Sequence, residues 1–125
     1  MLDAVLKHLR VLVGADTTNP PRVITRAHPA IAHVCDALEN AGFRVDLVDL
    51  GDGRLNVHAV RGAPTLLFNC HLDTVPVDSG WVADPHTLAI ENDRAVGLGA
   101  CDIKGAGACL LAAAESTRAD AAILF

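Results

Sequence analysis

Thr65-Leu66-Leu67-Phe68-Asn69-Cys70 runs directly into His71-Leu72-Asp73-Thr74-Val75-Pro76. The first six residues are short and almost continuously apolar, the pattern of a strand covered on both faces in a parallel sheet. From His71 to Gly80 there are too many polar and turn residues to continue that strand, so this stretch reads as a loop. A loop leaving a buried strand sits at the carboxyl edge of an α/β sheet, where such folds bind their ligands.

The flanking text supports an α/β fold of helices on a mostly parallel sheet. Leu2, Val5, Leu9, Leu12 and Val13 recur at helical spacing, and Gly14 ends that helix. Asp16 to Pro21 is a loop with two prolines. A second helix is expected from about His28 to Ala41, with Ile31, Val34, Cys35 and Leu38 inward, Pro29 in its first turn and Gly42 as its stop. Arg44 to Leu50 and Leu55 to Val60 read as strands joined by the turn Gly51-Asp52-Gly53, and Gly62-Ala63-Pro64 turns again. Two short strands, Thr87 to Glu91 and Arg94 to Val96, flank Asn92-Asp93. An Ala-rich helix follows from Ile103 to about Ser116, and Ala121 to Phe125 starts another buried strand. A chain ending on an apolar strand reads as part of a longer protein, with residues 1–125 as the N-terminal fragment of a catalytic domain.

Composition excludes several classes. The 125 residues hold ten basic and fifteen acidic side chains, a net charge of −5 without any basic block. That argues against a nucleic-acid or anionic-membrane surface. No stretch approaches the ~20 apolar residues of a membrane span, and the amphipathic start lacks the pattern of a signal peptide. Cys35, Cys70, Cys101 and Cys109 form no Cys-x-x-Cys pair and lie among apolar neighbours, as reduced thiols of a cytoplasmic protein would. His8, His28, His33 and His58 read as surface residues without ligand-like neighbours. His86 reads as a surface residue too, Trp81 as packing the rim of the site, and Lys104 as facing a helix entrance.

Two segments offer metal-ligand chemistry. Side chains two apart in extended backbone point the same way, so His71 and Asp73 share a side. A carboxylate beside an imidazole orients the ring and raises its basicity as a zinc ligand. From His-x-Asp alone, a strand-end hydrogen bond and an Asx turn are the commoner explanation. The second segment is Gly97-Leu98-Gly99-Ala100-Cys101-Asp102-Ile103-Lys104-Gly105. Asp102 stands before the helix, where Asp is a favoured N-cap. Capping leaves the crowd of glycines unexplained, because glycines gather where the backbone turns sharply or something approaches closely. A phosphate cradle is the rival, but neither the P-loop nor the dinucleotide-binding spacing is present. An acidic helix entrance would repel phosphate, so a metal ion fits the charge better.

Taken in order, His-Leu-Asp-Thr-Val-Pro, Trp81, Asp84-Pro85 and Gly-Leu-Gly-Ala-Cys-Asp-Ile-Lys-Gly resemble the acetylornithine deacetylase and succinyl-diaminopimelate desuccinylase family of two-metal deacylases and exopeptidases. The resemblance extends over nearly the whole chain, the Asn19-Pro20-Pro21 loop included. It implies a zinc-exopeptidase-like catalytic domain with two divalent ions, zinc first and cobalt or manganese as substitutes. His71 would bind one ion, Asp102 would bridge both, and Asp73 would serve catalysis by orienting His71; substrate-binding residues are not assigned. The implied reaction is hydrolysis of an N-acyl amino acid, N-acetylornithine or N-acetylcitrulline, in arginine biosynthesis. A succinyl-diaminopimelate desuccinylase or a dipeptidase is the alternative within the family, and a non-catalytic nucleotide-binding α/β module the alternative outside it. The family pattern continues with a Glu-Glu pair, further ligands and a lid domain that serves dimerisation. None has a counterpart in these residues, so the full-length parent is expected to be a homodimer and the 125 residues inactive alone.

Overall fold

Two helices precede the sheet in the computed structural model, which describes residues 1–20 and 23–125. Helix α1 (Leu2–Gly14) buries His8, Leu9, Leu12 and Val13. Helix α2 (Pro29–Asn40) has proline at its start, where the missing N–H costs nothing. The His28 side chain caps it by accepting from the Ala30 N–H at 3.3 Å. The helix ends in a Schellman arrangement: Gly42, at φ +86°, donates to Glu39 O, and Phe43 donates to Leu38 O. The expected Asn19-Pro20-Pro21 loop is seen as far as Pro20; Pro21 lies outside the described residues.

Strands β1 (Arg44–Gly51) and β2 (Arg54–Arg61) form a hairpin around Gly51, Asp52 and Gly53, all at positive φ. A short strand β3 (Leu67–Asn69) follows, then a separate small ribbon of β4 (Ala89–Glu91) and β5 (Arg94–Val96). Helix α3 (Gly105–Ser116) leads into β6 (Ala121–Leu124). The main sheet has the order β1-β2-β6-β3. Val57, Ala59 and Ile123 of the sheet share one apolar core with Leu12 and Val13 of α1, Val34 and Leu38 of α2, and Leu111 of α3.

The α/β class stands, while two details differ from the expectation of a mostly parallel, doubly covered sheet. Among the described strand pairs of the main sheet β3 with β6 is parallel, while β1 with β2 and β2 with β6 are antiparallel. The reason is connection length. A tight turn can join only antiparallel neighbours, whereas β3 reaches β6 through α3, the long crossover that a parallel pair requires. Strand β3 is also the sheet's edge, and all three of its residues are exposed. Among the described residues its apolar run is thus exposed, where covering on both faces was expected.

The helix after the glycine loop begins at Gly105, two residues later than expected. All four cysteines are free; Cys35 and Cys70 are buried, but Cys101 and Cys109 are exposed, against the apolar setting expected of each. Among the described residues no helix is long and apolar enough to cross a membrane.

Candidate metal centre

Parallel pairing of β3 with β6 carries the chain to the carboxyl edge of the sheet, and the Cys70 N–H extends the ladder by donating to Leu124 O at 3.0 Å. His71 is the next residue. Its loop is held from the other side by the segment after α1. The Thr17 hydroxyl donates to Leu72 O at 2.6 Å, Thr74 N–H to Thr17 O at 3.1 Å, and Asn19 N–H to Thr74 O at 3.0 Å. Asn19 Nδ2 also reaches Asp73 Oδ2 at 3.4 Å.

The glycine-rich loop closes the third side. Gly99 adopts φ +75°, and a Cβ placed there would stand 2.6 Å from Thr74 Cγ2. Only glycine permits both the left-handed backbone and that approach, so this residue brings the two loops together. A π-type turn, Ala100–Lys104, follows and leaves Asp102 extended at φ −120°, ψ 91°, with a cis peptide to Ile103. Asp102 is therefore not the helix N-cap expected from the sequence. Lys104 occupies that position, without a side-chain capping bond. An extended backbone turns the Asp102 carboxylate outward, 88% exposed, instead of down onto the helix amides.

His71 lies between two carboxylates. Its Nδ1 is 3.2 Å from both Asp73 Oδ1 and the Asp73 carbonyl oxygen, and its Nε2 is 3.3 Å from Asp102 Oδ1. When Nδ1 carries the proton it donates to Asp73, and Nε2 then presents a lone pair to a carboxylate oxygen. Two electron-pair donors at that distance repel one another unless a cation lies between them. The donor types and spacing fit such a cation: tetrahedral zinc with bonds of about 2.0–2.1 Å has ligand-to-ligand edges of about 3.3 Å. Asp73 lies on the opposite, Nδ1 side of the ring from Asp102. Among the described residues no three His, Cys, Asp or Glu side chains converge as a metal site.

The three side chains line a cleft of about 340 Å³ with Asn19, Thr74, Gly99 and Cys101. Several other expectations change. Trp81 does not line this cleft; it borders a separate groove with Asp78, Asp84 and Thr87. His86 Nδ1 lies 3.4 Å from Val13 O, bracing the loop against α1. His8 is buried beside His33, so the pair is not a set of isolated surface residues.

Lys104 is the largest departure. Expected to face the helix entrance, it is fully buried, and Nζ donates to Ala15 O at 3.1 Å. Burial pushes its pKa down to about 8, opposed by the attraction of nearby Asp16. The one sequence cue was a lone cation set among Ile103, Gly105 and Ala106, too little to separate an inward from an outward lysine.

Residues 67–123, the stretch holding His71, Asp73 and Asp102, match the model of peptidase family M20/M25/M40. The whole chain is also 49% identical to an N-acetyl-L-citrulline deacetylase of Xanthomonas campestris pv. campestris, over 125 residues. This chain belongs to the M20/M25/M40 peptidase family. Within that family it is 42% identical over 88 residues to a succinyl-diaminopimelate desuccinylase of Zymomonas mobilis, covering 66% of the chain and 23% of that protein. It is 43% identical over 81 residues to an acetylornithine deacetylase of Aliivibrio salmonicida, covering 62% of the chain and 21% of that protein. The crystal structure of human carnosine dipeptidase 1 shares the fold, with TM-score 0.80 and 23% identity, over 98% of this chain and 31% of that one. The chain thus spans about a third of the citrulline deacetylase, 34% of its length.

Proposed function

We propose that this M20/M25/M40 chain supplies part of a two-metal site that hydrolyses the amide bond of an N-acyl amino acid. N-acetylcitrulline or N-acetylornithine is the substrate we favour, which would place the reaction in arginine biosynthesis. The observation that carries the reading is His71 held between two carboxylates, Asp73 on Nδ1 and Asp102 facing Nε2. Substrate preference rests on similarity to the Xanthomonas deacetylase.

His71 Nε2 and an Asp102 oxygen would hold the first ion. The carboxylate of Asp102 stands open in the cleft and can share its oxygens with a second, since two close divalent cations need a negative group between them. When bound, the ions, zinc by the donor set with cobalt or manganese accepted, supply positive charge that polarises the scissile carbonyl. Asp73, by accepting a hydrogen bond from Nδ1–H, would leave Nε2 as the electron-pair donor to the ion. Among the described residues lining the cleft there is no Glu to move a proton to the departing amine. A working enzyme therefore needs further residues, and the 125 residues alone should not turn substrate over.

A panel of N-acetyl and N-succinyl amino acids, offered with zinc to the longest natural form of the protein, tests the proposal. Metal-dependent release of free citrulline or ornithine is expected. Preference for N-succinyl-diaminopimelate would move the assignment to the desuccinylase reading, and no amide hydrolysis would refute the function.

A further inference from the structure

Lys104 is fully buried two residues from Asp102, and the ammonium takes a hydrogen bond partner 89 positions away, the carbonyl of Ala15. Burying an ammonium costs several kcal/mol unless it is well paired, and an apolar side chain of the same volume often serves stability as well. A cation buried at that cost points to a purpose other than filling space.

The connections around it show that purpose. Ala15 begins the segment whose Thr17 and Asn19 bind the backbone of Leu72 and Thr74, so this segment is tied to the loop carrying His71 and Asp73. Lys104 N–H donates to Gly99 O at 2.9 Å. A Cβ on Gly99 would be 3.2 Å from Lys104 Cδ and 2.6 Å from Thr74 Cγ2, so the lysine stem lies under the point where the two loops touch. The Cys70 thiol approaches Ile103 O at 3.6 Å, a weak contact for a sulfur donor. The charge-assisted bond to Ala15 is the firm tie between the Asp102 loop and the segment that holds His71.

We propose that Lys104 is a positioning residue: its buried ammonium, bonded to Ala15, sets the Asp102 carboxylate against His71 so that both can hold one divalent ion. The inference rests on the metal reading of the site. Its effect is on ligand placement, where a misalignment of about half an ångström already weakens a site.

The test is zinc titration of the 15N-labelled chain followed by NMR, which reports folding and metal affinity in the same spectra. His71→Ala and Asp102→Asn are the reference variants. If both bind zinc as the parent does, the metal reading fails, and the inference with it. If both lose binding, Lys104→Met decides: a dispersed, native-like spectrum with zinc affinity lowered at least tenfold supports positioning. The same spectrum with affinity within twofold of the parent overturns it while leaving the metal site intact. Should Lys104→Met give a collapsed spectrum, Lys104→Gln, which keeps a donor in the cavity, is judged by the same thresholds. A purely structural lysine would change the melting temperature and leave the affinity of the folded protein unmoved.

Discussion

His8 Nδ1 stands 2.9 Å from His33 Nε2, joining α1 to α2, while His8 Nε2 lies 3.2 Å from a carboxylate oxygen of Glu115 on α3. Three helices therefore meet at one imidazole pair. Burial, then His8, then Lys7 hold the His33 pKa below its ordinary 6.5, against Glu115 and Asp36, which pull it up. A histidine whose folded pKa is lowered binds fewer protons folded than unfolded in this window. Its contribution is intact above pH 6.5 and is lost as pH falls through 6.5 toward the folded value. Melting temperature should drop between pH 7.5 and pH 5, and His33→Gln should flatten that drop. An equally steep profile in the variant would show that other groups cause it.

Arg61 fastens the far end of the fold. Its guanidinium donates to the carbonyls of Ala41, Ala114 and Ala119, at 2.8, 3.1 and 2.8 Å, and sits 4.3 Å above the Phe43 ring. Ala41 and Ala114 lie at the carboxyl ends of α2 and α3, where a cation is favoured by the helix dipole. Charged hydrogen bonds and the ring contact together suggest that Arg61→Ala destabilises by about 3 kcal/mol. Arg61→Lys should recover less than half, because an ammonium lacks the planar fork. Urea unfolding measures both.

Gly99→Ala should damage the site and the fold together. The substitution forces a Cβ into Thr74 Cγ2 at φ +75°. A cost of about 2–3 kcal/mol is expected from backbone strain and displacement of the Thr74 loop. Zinc affinity should fall in parallel, because the loops bearing Asp102 and His71 separate; calorimetry with zinc on the folded variant checks this.

Asp73→Asn separates orientation from ligation. The amide can still accept from Nδ1–H, but it lacks the charge that supports the ring and can present its NH₂ to Nδ1 instead. Zinc affinity should fall by about 10- to 100-fold, short of the complete loss expected for His71→Ala. Equal losses in the two variants would place Asp73 among the direct ligands.

Much of this molecule was readable from its residues alone, and the failures have a common cause. Pro29 and Gly42 bracket α2 because φ restriction and left-handed permissiveness act locally. His71, Asp73 and Asp102 drew notice because residue type, order and glycine setting are local as well. Long-range facts were hidden. The partner of Lys104 is 89 residues away, that of His8 is 25, and no window of sequence contains either pair. The exposure of β3 is not legible in its sequence, because an apolar run states what could be covered, not whether anything covers it. The extended backbone that keeps Asp102 from capping the helix has no local signature in Cys101-Asp102-Ile103.

The edge position of β3 has a practical consequence for handling the chain. Leu66, 64% exposed, precedes and Leu67, 59% exposed, opens a strand whose outer backbone has no sheet neighbour among the described residues. Neither a proline nor a charged residue interrupts Leu66 to Asn69, the usual means of discouraging strand-to-strand recruitment. In concentrated solution these 125 residues should associate edge to edge. A lysine at position 67 should raise their solubility limit while leaving the cleft around His71 untouched.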